Sequence, residues 1–289
     1  MNLMWTLAIL MTACPVIAQT PSEIFLLDIR TDPKGTISLT HPKNISQHRG
    51  YDNQPFFHPS QPILYYSSFN DDGRSDLRGY NLNTKETEEI TRTNEREYSP
   101  TITPDGKHLS CIIQRDDDSQ DLGKYPLAGG PAEVLIDSLK IGYHAWMNPN
   151  ELLLFVLGES MTLQIYNLKK GSHRVLASNI GRSLHRIPSQ SKMSFVQKTE
   201  SGDDWTIRTY DMNSQQIKTL IPTLKGREDL TWTPDGSLLM SDGTQIFSWN
   251  LKESTPAWKP IAMSSAKLTG ITRLAVSPDG KKLALVADE

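Results

Sequence analysis

Two histidines and two acidic residues are the side chains of this sequence best suited to metal binding or proton transfer. His144, His185, Glu228 and Asp229 lie three to six positions before prolines that recur along the chain. Imidazole and carboxylate groups bind divalent metals and act as general acids and bases. Their separation by dozens of residues is not a metal-site signature, so they form one site only if the fold gathers distant segments.

The equivalent positions before the other recurring prolines are also polar, aromatic or charged. Polar groups that converge from separate segments of a rigid scaffold typically form a ligand or peptide site. The alternative interpretation is that these residues are solvated loop ends, or a self-satisfied network inside a water-filled channel. We predict a binding site for a protein or peptide partner at Asn53, Tyr98, Tyr143, His144, Arg182, His185, Glu228, Asp229 and Arg273.

No motif in the sequence assigns a catalytic residue, a metal or a cofactor, and we predict none of these. A Gly-x-Ser-x-Gly nucleophile motif does not occur. Cys111 lies in an apolar run, which favours an inert buried thiol. The acidic segments 70–73 and 116–118 have carboxylates suited to calcium, but they occupy corresponding places in successive repeats where Asp and Gly ordinarily form turns.

A recurring turn must position the candidate residues. Ser/Thr-Pro-Asp-Gly occurs at Pro104, Pro234 and Pro278, each time between two apolar runs, and weaker copies lie at Pro59, Pro149 and Pro188. Proline presets the backbone at the second position of a turn, and Asp and Gly tolerate the conformations of the next two positions, so each copy predicts a hairpin. The mean spacing is about 44 residues. Four short strands in a repeat of that length are typical of a propeller blade.

The pattern of apolar runs predicts an all-β, six-bladed β-propeller with four-stranded antiparallel blades. In the third blade the predicted strands are residues 145–147, 152–157, 162–167 and 173–177. The last repeat stops after its second strand, and residues 23–29 and 36–40 have the patterns of the missing third and fourth strands. We therefore predict that the N-terminal strands complete the C-terminal blade, which removes two sheet edges. Four tryptophans are expected in strands as blade-to-blade packing: Trp146, Trp205, Trp232 and Trp249.

The Pro-Asp-Gly repeats, the Asp-rich turns after second strands and the repeat length resemble the TolB-like six-bladed propellers of bacterial envelopes. The resemblance covers about residues 21–289. The resemblance is specific for the fold. Together with the closed ring and the lack of a nucleophile, acid-pair or metal motif, it leads us to expect a non-enzymatic, exported scaffold that binds a protein or peptide partner at an axial funnel. TolB itself is similar only over its propeller, because it has an additional N-terminal domain that we do not expect here.

The alternative interpretation of function is a carbohydrate-active or other hydrolase or lyase. Some TolB-like propellers are similar to oligogalacturonate lyases, which use a metal bound by axial histidines. In this sequence the corresponding side chains would be His144 and His185, together with their acidic neighbours. Such an enzyme requires a bound metal, or two carboxylates roughly 5 to 10 Å apart.

Charge and termini limit location and partners. A net charge of -3 gives no basic surface for wrapping nucleic acid, so no nucleic-acid partner is expected. Residues 1–18 have no charged side chain, and their apolar run is too short to span a bilayer. They predict a signal peptide cleaved after Ala18, or lipidation at Cys14 as the alternative. Residues 19–289 would then form one exported, periplasmic domain, expected to be a monomer without a transmembrane anchor.

Overall fold

The computed structural model describes residues 21–33, 35–253, 255–264 and 267–288. The predicted signal peptide and Cys14 lie outside these residues. All strands of the described chain belong to six sheets around a common axis, as the sequence predicts. Two N-terminal strands, β1 (Ser22–Thr31) and β2 (Ile37–Asn44), precede the first complete blade.

Blades 1 to 5 each contain four antiparallel strands, which run in chain order from the axis to the rim. Blade 1 contains β3 (Asp52–Phe57), β4 (Ile63–Phe69), β5 (Ser75–Asn81) and β6 (Thr87–Glu89). Blade 2 contains β7 (Arg96–Ile102), β8 (His108–Gln114), β9 (Gln120–Pro126) and β10 (Glu133–Ile136). Blade 3 contains β11 (Ile141–Asn148), β12 (Glu151–Val156), β13 (Thr162–Asn167) and β14 (Ser172–Ser178).

The remaining blades follow the same order. Blade 4 contains β15 (Ile180–Arg186), β16 (Lys192–Gln197), β17 (Thr206–Asp211) and β18 (Ile217–Pro222). Blade 5 contains β19 (Leu230–Trp232), β20 (Ser237–Ser241), β21 (Ile246–Asn250) and β22 (Lys259–Pro260). The short strand β23 (Ala262–Met263) and the C-terminal strands β24 (Thr272–Val276) and β25 (Lys282–Asp288) belong to blade 6.

Blade 6 is built from both ends of the described chain, in the order β24, β25, β1, β2. Phe25 pairs with Leu285 and Leu27 pairs with Leu283 in an antiparallel register, which confirms the predicted closure. The strand β23 adds a short parallel pairing at the rim, where Ser38 pairs with Ala262. The closed ring leaves β1 and β25 with partners on both sides.

The recurring turn is held by its own side chains. In the turn after β7, Thr103 Oγ1 donates to Asp105 Oδ1 at 2.6 Å, and the same carboxylate oxygen accepts from Lys107 N at 3.0 Å. Gly106 has a φ of 69°, a left-handed conformation that glycine adopts without strain. Ser277 and Asp279 repeat the hydroxyl–carboxylate contact at 2.6 Å. The Ser/Thr-Pro-Asp-Gly turn is therefore stabilised by contacts between residues close in sequence, which is why the sequence alone predicts it.

Packing between blades supplies the core. Six clusters of buried apolar side chains lie one at each junction between neighbouring blades of the described chain. In the junction of blades 3 and 4, for example, Leu153 and Phe195 are fully buried. Large side chains fill the space between the faces of adjacent sheets, and their burial is the main favourable term in folding.

The inner strands differ from the prediction in where they begin. The inner strand of blade 3 was expected at residues 145–147 but starts at Ile141, so Tyr143 and His144 lie in a strand rather than in the loop before it. The reason is a β-bulge near the start of the strand, which allows pairing with β12 to continue on both sides. Trp205 is also outside its expected strand, since β17 begins at Thr206.

Candidate functional site

A network of ion pairs closes the middle of the axial channel. Arg182 donates to both carboxylate oxygens of Asp229, from Nε at 3.1 Å and from Nη2 at 2.8 Å. Arg273 Nη1 lies 3.4 Å from Asp229 Oδ1, and its Nη2 donates to Tyr143 Oη at 2.6 Å. The Arg273 guanidinium also lies over the Tyr143 ring, 4.9 Å from its centroid. We call these four residues of blades 3, 4, 5 and 6 the waist.

The waist fixes the charge state of its members. Burial by itself would raise the pKa of Asp229, but the two guanidinium groups, Arg273 and then Arg182, hold it below the ordinary value of an aspartate. Burial opposes the charge of Arg182, but its hydrogen bond and charge interaction with Asp229 raise the pKa of Arg182 overall. Both partners are therefore ionised at neutral pH, and the carboxylate is occupied by two cations.

The waist divides the channel into two cavities of similar size. The first has a volume of about 550 Å³ and opens at the face that has the turns between second and third strands. We call it the tyrosine chamber, after Tyr51 and Tyr98, whose rings meet edge to face at 6.3 Å. Tyr143, Arg182 and Arg273 line both cavities and so form the partition between them.

The second cavity has a volume of about 560 Å³ and opens at the opposite face, among the Pro-Asp-Gly turns. We call it the proline cup, defined by the apolar wall of Pro55, Phe56, Pro59, Pro100, Ile102, Pro104, Trp146 and Leu274. Its floor is the polar waist. Cavities of roughly 300 to 1,000 Å³ with apolar walls and a few polar groups are typical of ligand sites.

The two candidate histidines line the proline cup as neutral side chains. Burial lowers the pKa of His144 to about 3 and that of His185 to about 4. His144 Nε2 is 2.8 Å from Ser110 Oγ, which also accepts from Trp146 Nε1 at 2.9 Å. His144 is thus part of a packed hydrogen-bonded group between blades 2 and 3. Within the described ranges, no three His, Cys, Asp or Glu side chains are close enough together to hold a metal ion.

The structure brings eight of the nine predicted site residues to the two cavities. Asn53 and Tyr98 line the tyrosine chamber, His144, His185 and Asp229 line the cup, and the three partition residues line both. The exception is Glu228, which accepts from Arg182 N at 2.9 Å and pairs with Lys198 at 3.0 Å behind the waist.

Backbone strain marks the channel at two residues outside the predicted site, Gln54 and Ser99, and at one predicted site residue, Arg273. Gln54 and Ser99 occupy equivalent bulges of β3 and β7 in the left-handed conformation, with φ of 58° and 55°. Gln54 Oε1 accepts from Ser99 N at 2.8 Å, which joins blades 1 and 2. Arg273 has the same conformation, with a φ of 49°. Left-handed non-glycine residues each cost about 1 to 3 kcal/mol and cluster at functional sites.

Two buried acidic residues that lie outside the predicted site were also missed by the sequence analysis. Asp52 and Glu97 occupy equivalent positions in β3 and β7, and both are fully buried. Ser22 Oγ and Ser75 Oγ of the preceding blades donate to the backbone oxygens of Asp52 and Glu97, at 3.1 and 3.0 Å. The recognisable signal is an acid seven residues before a turn proline, at Pro59 and at Pro104.

Each of these acids faces another acid across a blade junction. Thr91 Oγ1 lies 3.3 Å from both Asp76 Oδ1 and Glu97 Oε2. Burial, with Asp76 nearby, raises the pKa of Glu97 well above its usual range. Burial, with the charge of Glu23 nearby, raises the pKa of Asp52 to about 7.

The acidic turns make local contacts. Asn70 Oδ1 accepts from Arg74 N at 3.0 Å, and Asp117 Oδ1 accepts from Ser119 N at 3.0 Å. The carboxylate of Asp116 binds two arginines, Arg74 and Arg96, each at 3.0 Å. These side chains therefore stabilise the turns and tie blade 1 to blade 2.

Comparison with solved structures identifies proteins of similar fold. TolB from Acinetobacter baumannii superposes with a TM-score of 0.59 and 16% identity, over 92% of this chain and 64% of that chain. A protein assigned as TolB from Agrobacterium tumefaciens gives a TM-score of 0.71 and 13% identity, over 93% and 98% of the two chains. This chain has a TolB-like six-bladed β-propeller fold. It spans less than two thirds of the Acinetobacter protein.

An oligogalacturonate lyase in complex with manganese is also similar, with a TM-score of 0.60 and 15% identity over 88% of this chain and 82% of the lyase. The sequence matches no protein-family model and no curated protein. Similarity at these identities establishes the fold, which hosts both binding proteins and enzymes. No helix in the described part of the chain is long and apolar enough to cross a membrane.

Proposed function

We propose that this protein is a non-enzymatic scaffold of the bacterial cell envelope that binds a protein or peptide partner in the proline cup. The observation that supports this most strongly is the pairing of an open apolar cup with a waist whose charged groups are already occupied. Asp229 is held by two guanidinium groups, and His144 is neutral and hydrogen-bonded to Ser110. An apolar cavity whose charged groups are already paired with one another favours binding over proton transfer.

The proposed location in the periplasm rests on the N-terminal sequence and on the fold. Residues 1–18 have the composition of an export signal, and the propeller resembles that of TolB proteins. Cleavage after Ala18 gives a free periplasmic protein, whereas lipidation of Cys14 gives a membrane-anchored one. Mass spectrometry of the mature N-terminus distinguishes these two products.

Site-specific photo-crosslinking in the producing cell tests the binding function. A benzophenone amino acid replaces Phe56, which lines the cup, and in a control variant it replaces Val175, which is 58% exposed on the outer strand β14. We expect a protein adduct from the Phe56 position that is absent from the Val175 position. Equal adduct patterns from the two positions, or none, would overturn the proposal.

The lyase of similar fold supplies the second candidate function. It predicts that the protein with manganese converts oligogalacturonate into an unsaturated product, which is measured by ultraviolet absorbance. His185 lines the cup, so a cup-based activity requires that His185→Gln abolish product formation. Such a result would replace the binding scaffold with an enzyme.

A further inference from the structure

A cleft between blades 3 and 4 extends the proline cup towards the rim. It has a volume of about 690 Å³, and its walls include Met147, Arg174 and Tyr210. Trp146 and Arg186 line both the cleft and the cup, so the two cavities meet at these side chains. The face with the Pro-Asp-Gly turns therefore has a bent groove, which runs from the axis outwards between two blades.

Two arginines of the cleft have only neutral partners. Arg186 Nη1 donates to the backbone oxygen of Met147 at 2.9 Å. Arg174 Nη2 donates to Tyr210 Oη at 2.6 Å and to Gln215 Oε1 at 3.3 Å. Within the described ranges, neither guanidinium has a carboxylate within 4.0 Å, in contrast to Arg182 and Arg273 of the waist.

The acidic residue of the cleft does not neutralise these charges. The carboxylate of Glu151 accepts from Asn148 Nδ2 at 2.9 Å and from Asn167 Nδ2 at 3.3 Å. The cleft thus has two guanidinium groups and one carboxylate, a net charge of +1. Guanidinium groups held in place by neutral acceptors retain further donors for an incoming anion, and such charge-assisted hydrogen bonds are strong.

We infer that the groove binds one extended polypeptide segment, whose apolar side chain enters the proline cup and whose carboxylates bind Arg186 and Arg174. This inference rests on the proposed function and specifies its partner. Charge complementarity selects an acidic segment, because the free cationic groups lie in the cleft. A peptide fits better than an acidic sugar chain because the cup is walled by prolines and hydrocarbon side chains, including Ile102 and Leu274.

Peptide selection and subsequent binding measurements test the inference. The probe is a phage-displayed random library of about twelve residues, long enough at roughly 3.3 Å per residue to follow such a groove. It is selected on the intact protein, and enriched sequences are synthesised with a fluorescent label for anisotropy. We expect enriched peptides in which an apolar or aromatic residue lies next to acidic residues. Higher salt should weaken their binding.

Neutral variants of the two arginines separate charge recognition from folding. Arg174→Gln and Arg186→Gln should each weaken the selected peptide about tenfold, which corresponds to about 1.4 kcal/mol. Arg92→Gln is the matched control, since Arg92 is exposed in the loop between β6 and β7 and does not line the groove. Circular dichroism and thermal unfolding establish that each variant is folded.

The outcomes distinguish this inference from the proposed function. Peptides without acidic residues, or acidic peptides that bind equally well to the arginine variants, would overturn the inference, while a crosslink from the Phe56 position would still support the binding scaffold. Failure to enrich any peptide would count against the inference. Binding of oligogalacturonate that depends on Arg174 and Arg186 would replace the peptide with an acidic sugar.

Discussion

Asp229 and Asp52 are buried acids near the axis of the same ring, but different groups face them across the blade junctions. Arg182 and Arg273 bind Asp229 directly. Asp52 lies near Glu23 and Arg78, and its Oδ2 is 3.9 Å from Nδ1 of His48. Arginines lower the pKa of the first acid, and burial raises the pKa of the second to about 7. The neighbouring blade, rather than burial alone, thus decides which acid is ionised.

This difference has a structural consequence for the two halves of the ring. The ionised waist joins blades 3 to 6 by charge-assisted hydrogen bonds on the floor of the proline cup. The acids at the junctions of blades 6 and 1 and of blades 1 and 2 are most stable when they keep a proton. Four predictions test the comparison, in order of decreasing expected effect: three concern the free energy of unfolding, and the last concerns the protonation state of the histidines of the cup.

The largest effect is expected from Asp229→Asn. The change removes the charge between Arg182 and Arg273, and leaves two partly buried guanidinium groups facing each other. Loss of one partner from such a group should lower the free energy of unfolding by about 3 kcal/mol. Chemical denaturation at neutral pH measures the loss.

An exposed acid between two arginines is the matched control for this prediction. Asp116 binds Arg74 and Arg96 as Asp229 binds its arginines, but its side chain is 68% exposed. Asp116→Asn should lower the free energy of unfolding much less than Asp229→Asn does, because water screens surface ion pairs. Equal losses in the two variants would contradict the role assigned to the waist.

The next effect concerns pH. Asp52 and Glu97 have pKa values raised in the folded state, so their contribution to stability is full below their ordinary pKa values and is lost as the pH rises to about 7. Asp229, with a lowered pKa, contributes stability above its ordinary value and loses it as the pH falls. The variant with Asp52→Asn and Glu97→Gln should therefore be more stable than the wild type at about pH 8, by about 2 kcal/mol.

The diagnostic readout is the slope of the unfolding free energy between about pH 5 and pH 8, which the double variant should flatten. Asp117→Asn is the control, because the pKa of this exposed turn residue is lowered by its contacts with Ser119 and it titrates below that window. A slope that is unchanged in the double variant would show that these acids do not hold their protons more tightly in the folded state.

A smaller effect is expected from Tyr143→Phe. The ring remains under the Arg273 guanidinium, but the hydroxyl that accepts from Nη2 at 2.6 Å is lost. The free energy of unfolding should fall by about 1.5 kcal/mol, the lower end of the range for a hydrogen bond to a charged group. Tyr98→Phe should have no comparable effect, because the Tyr98 hydroxyl has no hydrogen bond within the described ranges. Equal losses from both variants would mean that the hydroxyl of Tyr143 contributes nothing specific.

The smallest expected effect is at the histidines of the cup. With pKa values of about 3 and about 4, His144 and His185 should remain neutral when the pH is lowered from 7 to about 5. Nitrogen-15 NMR of the imidazole rings measures this directly. The signature of a protonated ring in that interval would show that the cup is more open to water than its packing implies.

The fold was readable from sequence because its signals are local. Each turn is built from residues two to five apart, such as Thr103, Asp105 and His108, and the turn repeats at a regular interval. The apolar patterns of residues 23–29 and of the last strands were sufficient to predict that the two termini share a blade. The ends of the inner strands were less predictable, because the bulges depend on pairing with the next strand.

The site was only partly predictable, because the side chains that contact one another in it come from different blades and meet only when the ring closes. Counting back from the turn prolines located Arg182, Asp229 and Arg273, but their ion pairs join residues 44 and 47 positions apart. The contact of Tyr143 with Arg273 spans 130 positions. The periodicity of the sequence indicates that each of these residues approaches the axis. Only the packing of the closed ring decides which arginine pairs with which carboxylate. The same limit applies to the cleft, where the sequence shows two arginines and the tertiary structure of the described residues leaves neither guanidinium group with a carboxylate within 4.0 Å.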